Sequence, residues 1–320
     1  MKKRKLRIIF MGTPDFAVST LKKLINEGYK VVGVITAPDK PAGRGLKLHE
    51  SAVKIYAVSQ NLRVMQPTNL KNEDFLKELQ SLKSNLQIVV AFRMLPKVVW
   101  DMPKYGTFNL HASLLPDYRG AAPINWVLIN GETKTGVSTF FIDEKIDTGE
   151  MIKQKEVSID PTETAGSLHD KLMEIGSNLV LETVKLIETN TVKTTPQPDK
   201  IDIKTAYKLN KENCRINWKT STENIYNKVR GLDPYPVAWT QLYNNKQTLN
   251  IKIYKVEISK EKHTNTVGTI ETTKKEVKVS VPDGYIFLKT IQLPGKQKMN
   301  IKSLLNGYRF HEDAKMLSNP

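Results

Sequence analysis

Leu6-Arg7-Ile8-Ile9-Phe10-Met11-Gly12-Thr13-Pro14-Asp15-Phe16-Ala17 decides the fold class of this chain. Leu6 to Met11 reads as a buried strand that ends at Gly12. Thr13 then suits a helix N-cap, with Pro14 in the first helical position, where a missing N–H is harmless. Ala17, Leu21, Leu24 and Ile25 recur at helical spacing, and Gly28 closes the helix. Val31-Val32-Gly33-Val34-Ile35-Thr36 is the next strand. A β-α-β opening implies parallel strands joined by a right-handed crossover.

The alternation continues outward from this unit. Ser51 to Gln60 and Asn72 to Leu82 read as helices, Leu86 to Phe92 and Gly106 to Ala112 as strands. Ala122 to Asn130 is a further helix. Gly136 to Ile142 and Met151 to Ile159 are strands, and Thr162 to Glu188 is a long amphipathic helix. This is the pattern of a doubly wound α/β domain. Near Asn190 the composition shifts to a polar stretch with Pro196 and Pro198, read as a linker. A short helix follows near Thr222 to Arg230. Strand-like runs then dominate: Ala238 to Tyr243, Leu249 to Ile258, Gly268 to Thr272, Val277 to Pro282 and Tyr285 to Gln292. Their spacing suits a small β-barrel, with a last helical stretch near Ser303 to Asn306.

Charge separates the two parts. The 320 residues carry 49 Lys plus Arg against 33 Asp plus Glu, a formal net charge of +16. Met1 to Lys208 holds 30 basic and 23 acidic residues, a net of +7, and Leu209 to Pro320 holds 19 and 10, a net of +9 on roughly half the length. A polyanionic partner such as nucleic acid accounts for that bias; so does a Lys-rich solvated surface. One cysteine, Cys214, excludes an internal disulfide framework and a Cys-rich zinc site. The apolar run after the basic start is too short for a signal-peptide core, and no stretch is long enough to span a membrane, so a cytoplasmic protein is expected.

The chemistry concentrates in Asn109-Leu110-His111-Ala112-Ser113-Leu114-Leu115-Pro116-Asp117-Tyr118-Arg119-Gly120. Strand side chains alternate faces, so Asn109, His111 and Ser113 project together. An amide, an imidazole and a hydroxyl beside a turn can stabilise an oxyanion and move a proton at a carbonyl-type carbon. They can also do no more than satisfy turn backbone groups. Gly12-Thr13-Pro14-Asp15-Phe16 occupies the place of a nucleotide-binding glycine turn but is not G-x-G-x-x-G, which argues against a dehydrogenase. Pro38 to Lys47 is a basic Gly/Pro loop carrying Lys40, Arg44 and Lys47; it is expected to form no regular element and to suit a phosphate backbone. Asp147-Thr148-Gly149 is an isolated acidic turn, and with no second copy an aspartic protease is excluded. His49, His169, His263 and His311 lack metal-ligand spacing. Trp126, Trp218 and Trp239 are read as core.

Taken together these segments resemble the methionyl-tRNA formyltransferases over essentially the whole chain. The likeness is carried by Arg7 to Ala17, the Pro38 to Gly45 loop, Ser113 to Pro123, Asp147-Thr148-Gly149 and Leu232-Asp233-Pro234-Tyr235-Pro236. The resemblance implies a Rossmann-like formyltransferase domain over 1–190, a linker over 191–208 and a basic, OB-like β-barrel tRNA-binding domain over 209–320. It implies transfer of a formyl group from 10-formyltetrahydrofolate, without a metal, to the α-amino group of methionyl-initiator tRNA. Asn109, His111 and Asp147 match the catalytic trio. Ser113, Leu114, Leu115 and Pro116 match the folate-binding segment, and Arg44 matches the loop arginine that reaches the acceptor end. One departure lies at Ala91-Phe92-Arg93-Met94-Leu95-Pro96, which lacks the glycine the family usually carries beside the pterin pocket. A monomer without membrane attachment is expected. A ribonucleotide-amine formyltransferase needs no basic second domain, and a non-enzymatic RNA-binding barrel needs none of the trio. A sugar-amine formyltransferase remains open.

Overall fold

A computed structural model describes residues 3–42, 47–198 and 202–318. They fall into two compact units. The first comprises the chain up to Gly120, Thr135–Ser158 and His169–Thr205; the second comprises Ala121–Lys134, Ile159–Leu168 and the chain from Ala206 onward.

The first unit is built on a seven-stranded sheet. Across it run Met151–Ser158, Lys134–Phe141, Thr107–His111, Leu86–Val90, Ile8–Gly12, Val31–Ile35 and Val64–Met65. The last five are parallel, and Lys134–Phe141 pairs antiparallel with Thr107–His111. The chain starts at Ile8–Gly12, builds outward to one edge, then returns to the other side of that strand at Leu86–Val90. This reversal is a topological switch point, and the crevice beyond the carboxyl ends of such strands is where doubly wound sheets bind ligands.

Parallel strands bury both faces, and Ile8–Gly12 is buried at every position. Ile9 and Met11 share one cluster with Phe75, Leu79, Val89 and Val99. Each such fully buried side chain contributes about 1.5–3 kcal/mol. Gly12 does more than end its strand. A Cβ there would stand 2.5 Å from Ala17 Cβ and 2.9 Å from the Val90 carbonyl oxygen, so only glycine lets the first helix come this close.

That helix spans Asp15–Asn26, and its cap falls on Pro14 with no side-chain cap bond, which corrects the expected Thr13 cap. The first turn closes instead from Ala17 N–H to the Pro14 carbonyl at 2.9 Å. Asp15 supplies the negative charge that a helix start favours. The next helices, Ala52–Ser59 and Glu73–Ser81, are capped by Ser51 and Asn72, whose side chains accept from Lys54 and Phe75 N–H. The basic loop is also more regular than expected. Lys40–Ala42 and Lys47–His49 form a short antiparallel pair, because cross-strand bonds satisfy backbone groups that a free loop leaves to water. Arg44, between them, lies outside the described residues.

In the second unit, antiparallel strands run in the order Ile270–Thr272, Val277–Val281, Gly284–Gln292, Gln247–Ser259, Ala238–Asn244 and Lys315–Leu317. A bridge from Thr269 to Lys315 joins the two ends into a nearly closed barrel, consistent with an OB-like fold. Ile251 and Ile253, then Val277, Val279 and Val281, alternate into its core beside Trp218. Trp218 is wholly buried and donates its indole N–H to Thr240 Oγ1 at 2.9 Å. Trp239 is only partly buried, with the Lys211 and Arg215 cations over its ring. The helix Thr222–Leu232 packs Ile225, Val229 and Leu232 onto the same core.

Candidate active site

Asn109 and His111 sit at the carboxyl end of Thr107–His111, next to the switch-point strand Leu86–Val90. His111 is 6% exposed. Its Nε2 lies 2.8 Å from the Tyr118 carbonyl oxygen, which can only accept, so Nε2 carries the hydrogen. Its Nδ1 faces Asp147 Oδ2 at 3.8 Å, close enough for charge to act and too far for a direct hydrogen bond. Asn109 Oδ1 is buried with no hydrogen-bond partner among the described residues. A buried unpaired polar atom costs about 1–3 kcal/mol, which a ligand can recover. A half-turn of the amide exchanges Oδ1 and Nδ2, so the same position can present an acceptor or a donor.

Asp147 holds a φ of +56°, a left-handed conformation disfavoured for a residue with a Cβ. Its surroundings over-determine it. Gly120 N–H donates to Oδ2 at 3.0 Å, and Gln197 Nε2 donates to the main-chain carbonyls of Asp147 and Gly149, each at 2.9 Å. A Cβ on Gly149 would lie 1.7 Å from the Phe141 carbonyl oxygen, so the turn requires glycine there.

The turn after His111 is held from beneath. Ser113 Oγ donates to the Asp117 carbonyl at 2.7 Å. Ser138, opposite His111 on the next strand, donates to the Ser113 carbonyl at 2.6 Å and accepts from Leu115 N–H at 3.2 Å. Gln154 Nε2 donates to the Leu115 carbonyl and to Ser138 Oγ. Ser113, Leu115 and Pro116 are buried and Leu114 is half-buried, with a cis bond between Leu115 and Pro116. Sequence reasoning missed Ser138 and Gln154, because no motif marks them and only the strand register brings them here.

A family profile described as "Formyl transferase" matches residues 5–184, and one described as "Formyl transferase, C-terminal domain" matches 208–309. The chain belongs to the formyl transferase family. It is 60% identical to a methionyl-tRNA formyltransferase of Flavobacterium johnsoniae, over 98% of this chain and 99% of that one. With a methionyl-tRNA formyltransferase of Bacteroides thetaiotaomicron it shares 52%, over 99% and 100%. Among solved structures, the sugar 3N-formyl transferase WlaRD, determined with dTDP and 5-N-formyl-THF, has the same fold. Its TM-score is 0.64 at 22% identity, over 92% of this chain and 100% of that one.

Within this formyl transferase the atypical segment finds its own anchor. Ala91 adopts a φ of +48°, and the Arg93 guanidinium donates to the Thr68 carbonyl at 2.9 Å and to the Pro67 carbonyl. Met94 is 70% exposed. Asp39, where a dinucleotide-binding acid would be sought, is committed to Lys54 and Gln66, whose hydrogen bonds hold its carboxyl below the usual range. Among the described residues no cluster of three His, Cys, Asp or Glu side chains is arranged to hold a metal, and no helix is long and apolar enough to cross a membrane.

Proposed function

We propose that the protein transfers the formyl group of 10-formyltetrahydrofolate to the α-amino group of methionyl-initiator tRNA, producing N-formylmethionyl-tRNA for translation initiation. The observation that carries this reading is the approach of Asp147 to His111 at 3.8 Å, with Asn109 two positions before His111 on the same strand, at the carboxyl end of that strand. These residues stand in a chain whose likeness to methionyl-tRNA formyltransferases runs from end to end.

The folate supplies the formyl carbon. Ser113, Leu114, Leu115 and Pro116 form the segment that holds it, with Leu114 the half-buried side chain among them and Ser113 Oγ already bound to the Asp117 carbonyl. The orphaned amide of Asn109 fits this role. It turns a donor toward the formyl oxygen, where negative charge develops as the amine attacks, and one such donor is worth about 3–4 kcal/mol in the transition state. His111 acts from its Nδ1 edge, because Nε2 is bound to Tyr118. Asp147 stabilises positive charge on that ring and helps carry the amine proton to the leaving nitrogen. The reference pKa of an α-amine is about 8, so a neutral, attacking fraction exists near pH 7.

The division into 1–190, 191–208 and 209–320 follows the two tasks. The α/β domain takes folate and the aminoacyl end, with Arg44 on the acceptor end, and the basic barrel takes the phosphate backbone. One cytoplasmic chain supplies both tasks, so a monomer suffices. The deciding experiment offers the formyl donor together with Met-tRNA, a ribonucleotide amine and an amino sugar. Formylation of Met-tRNA is expected; formylation of the amino sugar alone overturns the reading.

A further inference from the structure

We propose that Gln197 is a positioning residue for the Asp147 carboxylate, oriented in turn by Arg119. The inference rests on the reading of Asp147 as part of the reaction site. Gln197 lies in the stretch that sequence patterning marks as a linker, far along the chain from the motif it touches. Its Oε1 accepts two hydrogen bonds from one guanidinium, Arg119 Nε at 3.1 Å and Nη2 at 2.6 Å. That fork fixes which end of the amide faces Arg119, and so directs Nε2 at the carbonyls of Asp147 and Gly149. The neighbouring residue, Gly120, gives its N–H to Asp147 Oδ2.

The bonds therefore close a ring. Arg119 holds Gln197, Gln197 holds the main chain of Asp147, and the side chain of Asp147 returns to Gly120. Asp147 is gripped at backbone and side chain together, in a left-handed conformation it does not favour alone. The segment bearing Gln197 is itself pinned, since Thr195 and Met151 exchange N–H···O bonds at 2.8 and 2.9 Å. Only an amide serves at this place: one end must accept from the guanidinium while the other donates to two carbonyls. A carboxylate keeps the first contact and turns the second into repulsion.

Two substitutions separate positioning from mere packing. Gln197→Met keeps the length and removes every hydrogen bond. Gln197→Glu keeps the Arg119 contact and removes the two donated bonds. Each should lower kcat about tenfold to hundredfold, the effect of a reacting group displaced by roughly 1 Å, while the KM for folate changes little. In an Asp147→Asn background, Gln197→Met should add almost nothing, because both changes disable one unit. Arg119→Met, which leaves Gln197 present and unanchored, should move kcat in the same direction and serves if Gln197→Met does not fold. Undiminished kcat in Gln197→Met and Gln197→Glu overturns the proposal. So does a loss that multiplies in full with Asp147→Asn, which marks an independent structural role. Normal turnover of Asp147→Asn removes the site assignment and this proposal together, whereas a slow Asp147→Asn beside a fast Gln197→Met removes only this one.

Discussion

His111 gives its Nε2–H to the carbonyl of Tyr118, seven residues further along the same turn, and this contact rather than Asp147 sets the angle of the ring. Asp147, 3.8 Å from Nδ1, is left to act through its charge. The division of labour has a measurable consequence. Asn109→Ala and Asp147→Asn should each lower kcat at least about a hundredfold with the melting temperature little changed, since neither side chain anchors the ring. Steady-state kinetics beside thermal melts check this. Near-normal turnover in either variant would refute the assignment.

Ser138→Ala should act on stability and folate affinity more than on chemistry. The hydroxyl is wholly buried and serves the Ser113 carbonyl, Leu115 N–H and the Gln154 amide. Removing it strands those groups, a loss of about 1–3 kcal/mol. Urea titration should show the lower midpoint, with a raised KM for the folate donor. An unchanged midpoint would mean the turn holds itself.

Asp233 should make the protein less stable as pH rises. Burial pushes its carboxyl above the usual range, partly offset by Lys298, and Oδ1 has no hydrogen-bond partner among the described residues. The native state therefore binds this proton more tightly than the unfolded chain. The favourable contribution is full below the unfolded carboxyl pKa of about 3.9 and is lost as pH climbs through the raised native value. Asp233→Asn should raise the melting temperature at neutral pH and lose that advantage in acid. An equal shift at both pH values would rule out this linkage.

The KM for tRNA should rise steeply with salt while the KM for folate stays nearly flat, because phosphate contacts release counterions. Arg44→Ala should raise the tRNA value alone. A salt-independent tRNA KM, or an Arg44→Ala effect confined to folate, contradicts this division.

Much of the architecture was readable in the residues. The buried run before Gly12, the helical stretches Ser51 to Gln60 and Asn72 to Leu82, and the strand-like run from Val277 are local signals, and elements formed there. What escaped was set by partners distant in sequence. The pairing of Lys40–Ala42 with Lys47–His49 was hidden by Pro41 and two glycines. For the candidate site, a strand, a turn and a resemblance single out Asn109, His111 and Asp147 as candidates. The long His111–Asp147 separation, and the grips of Ser138 and Gln197, depend on strand register and on a segment read as linker.

The chain enters the second unit before it has finished the first. Asn125 donates to the Gly231 carbonyl at 2.8 Å, 106 residues downstream, and Arg230 reaches back to the Glu163 carbonyl. At about 5–20 residues per second, the ribosome delivers Gly231 roughly 5–20 s after Asn125. For that interval Pro123–Ile129 has emerged without the helix it will pack against. Synthesis of this protein thus includes a waiting period, during which an apolar helix from the amino-terminal half needs shelter from other chains.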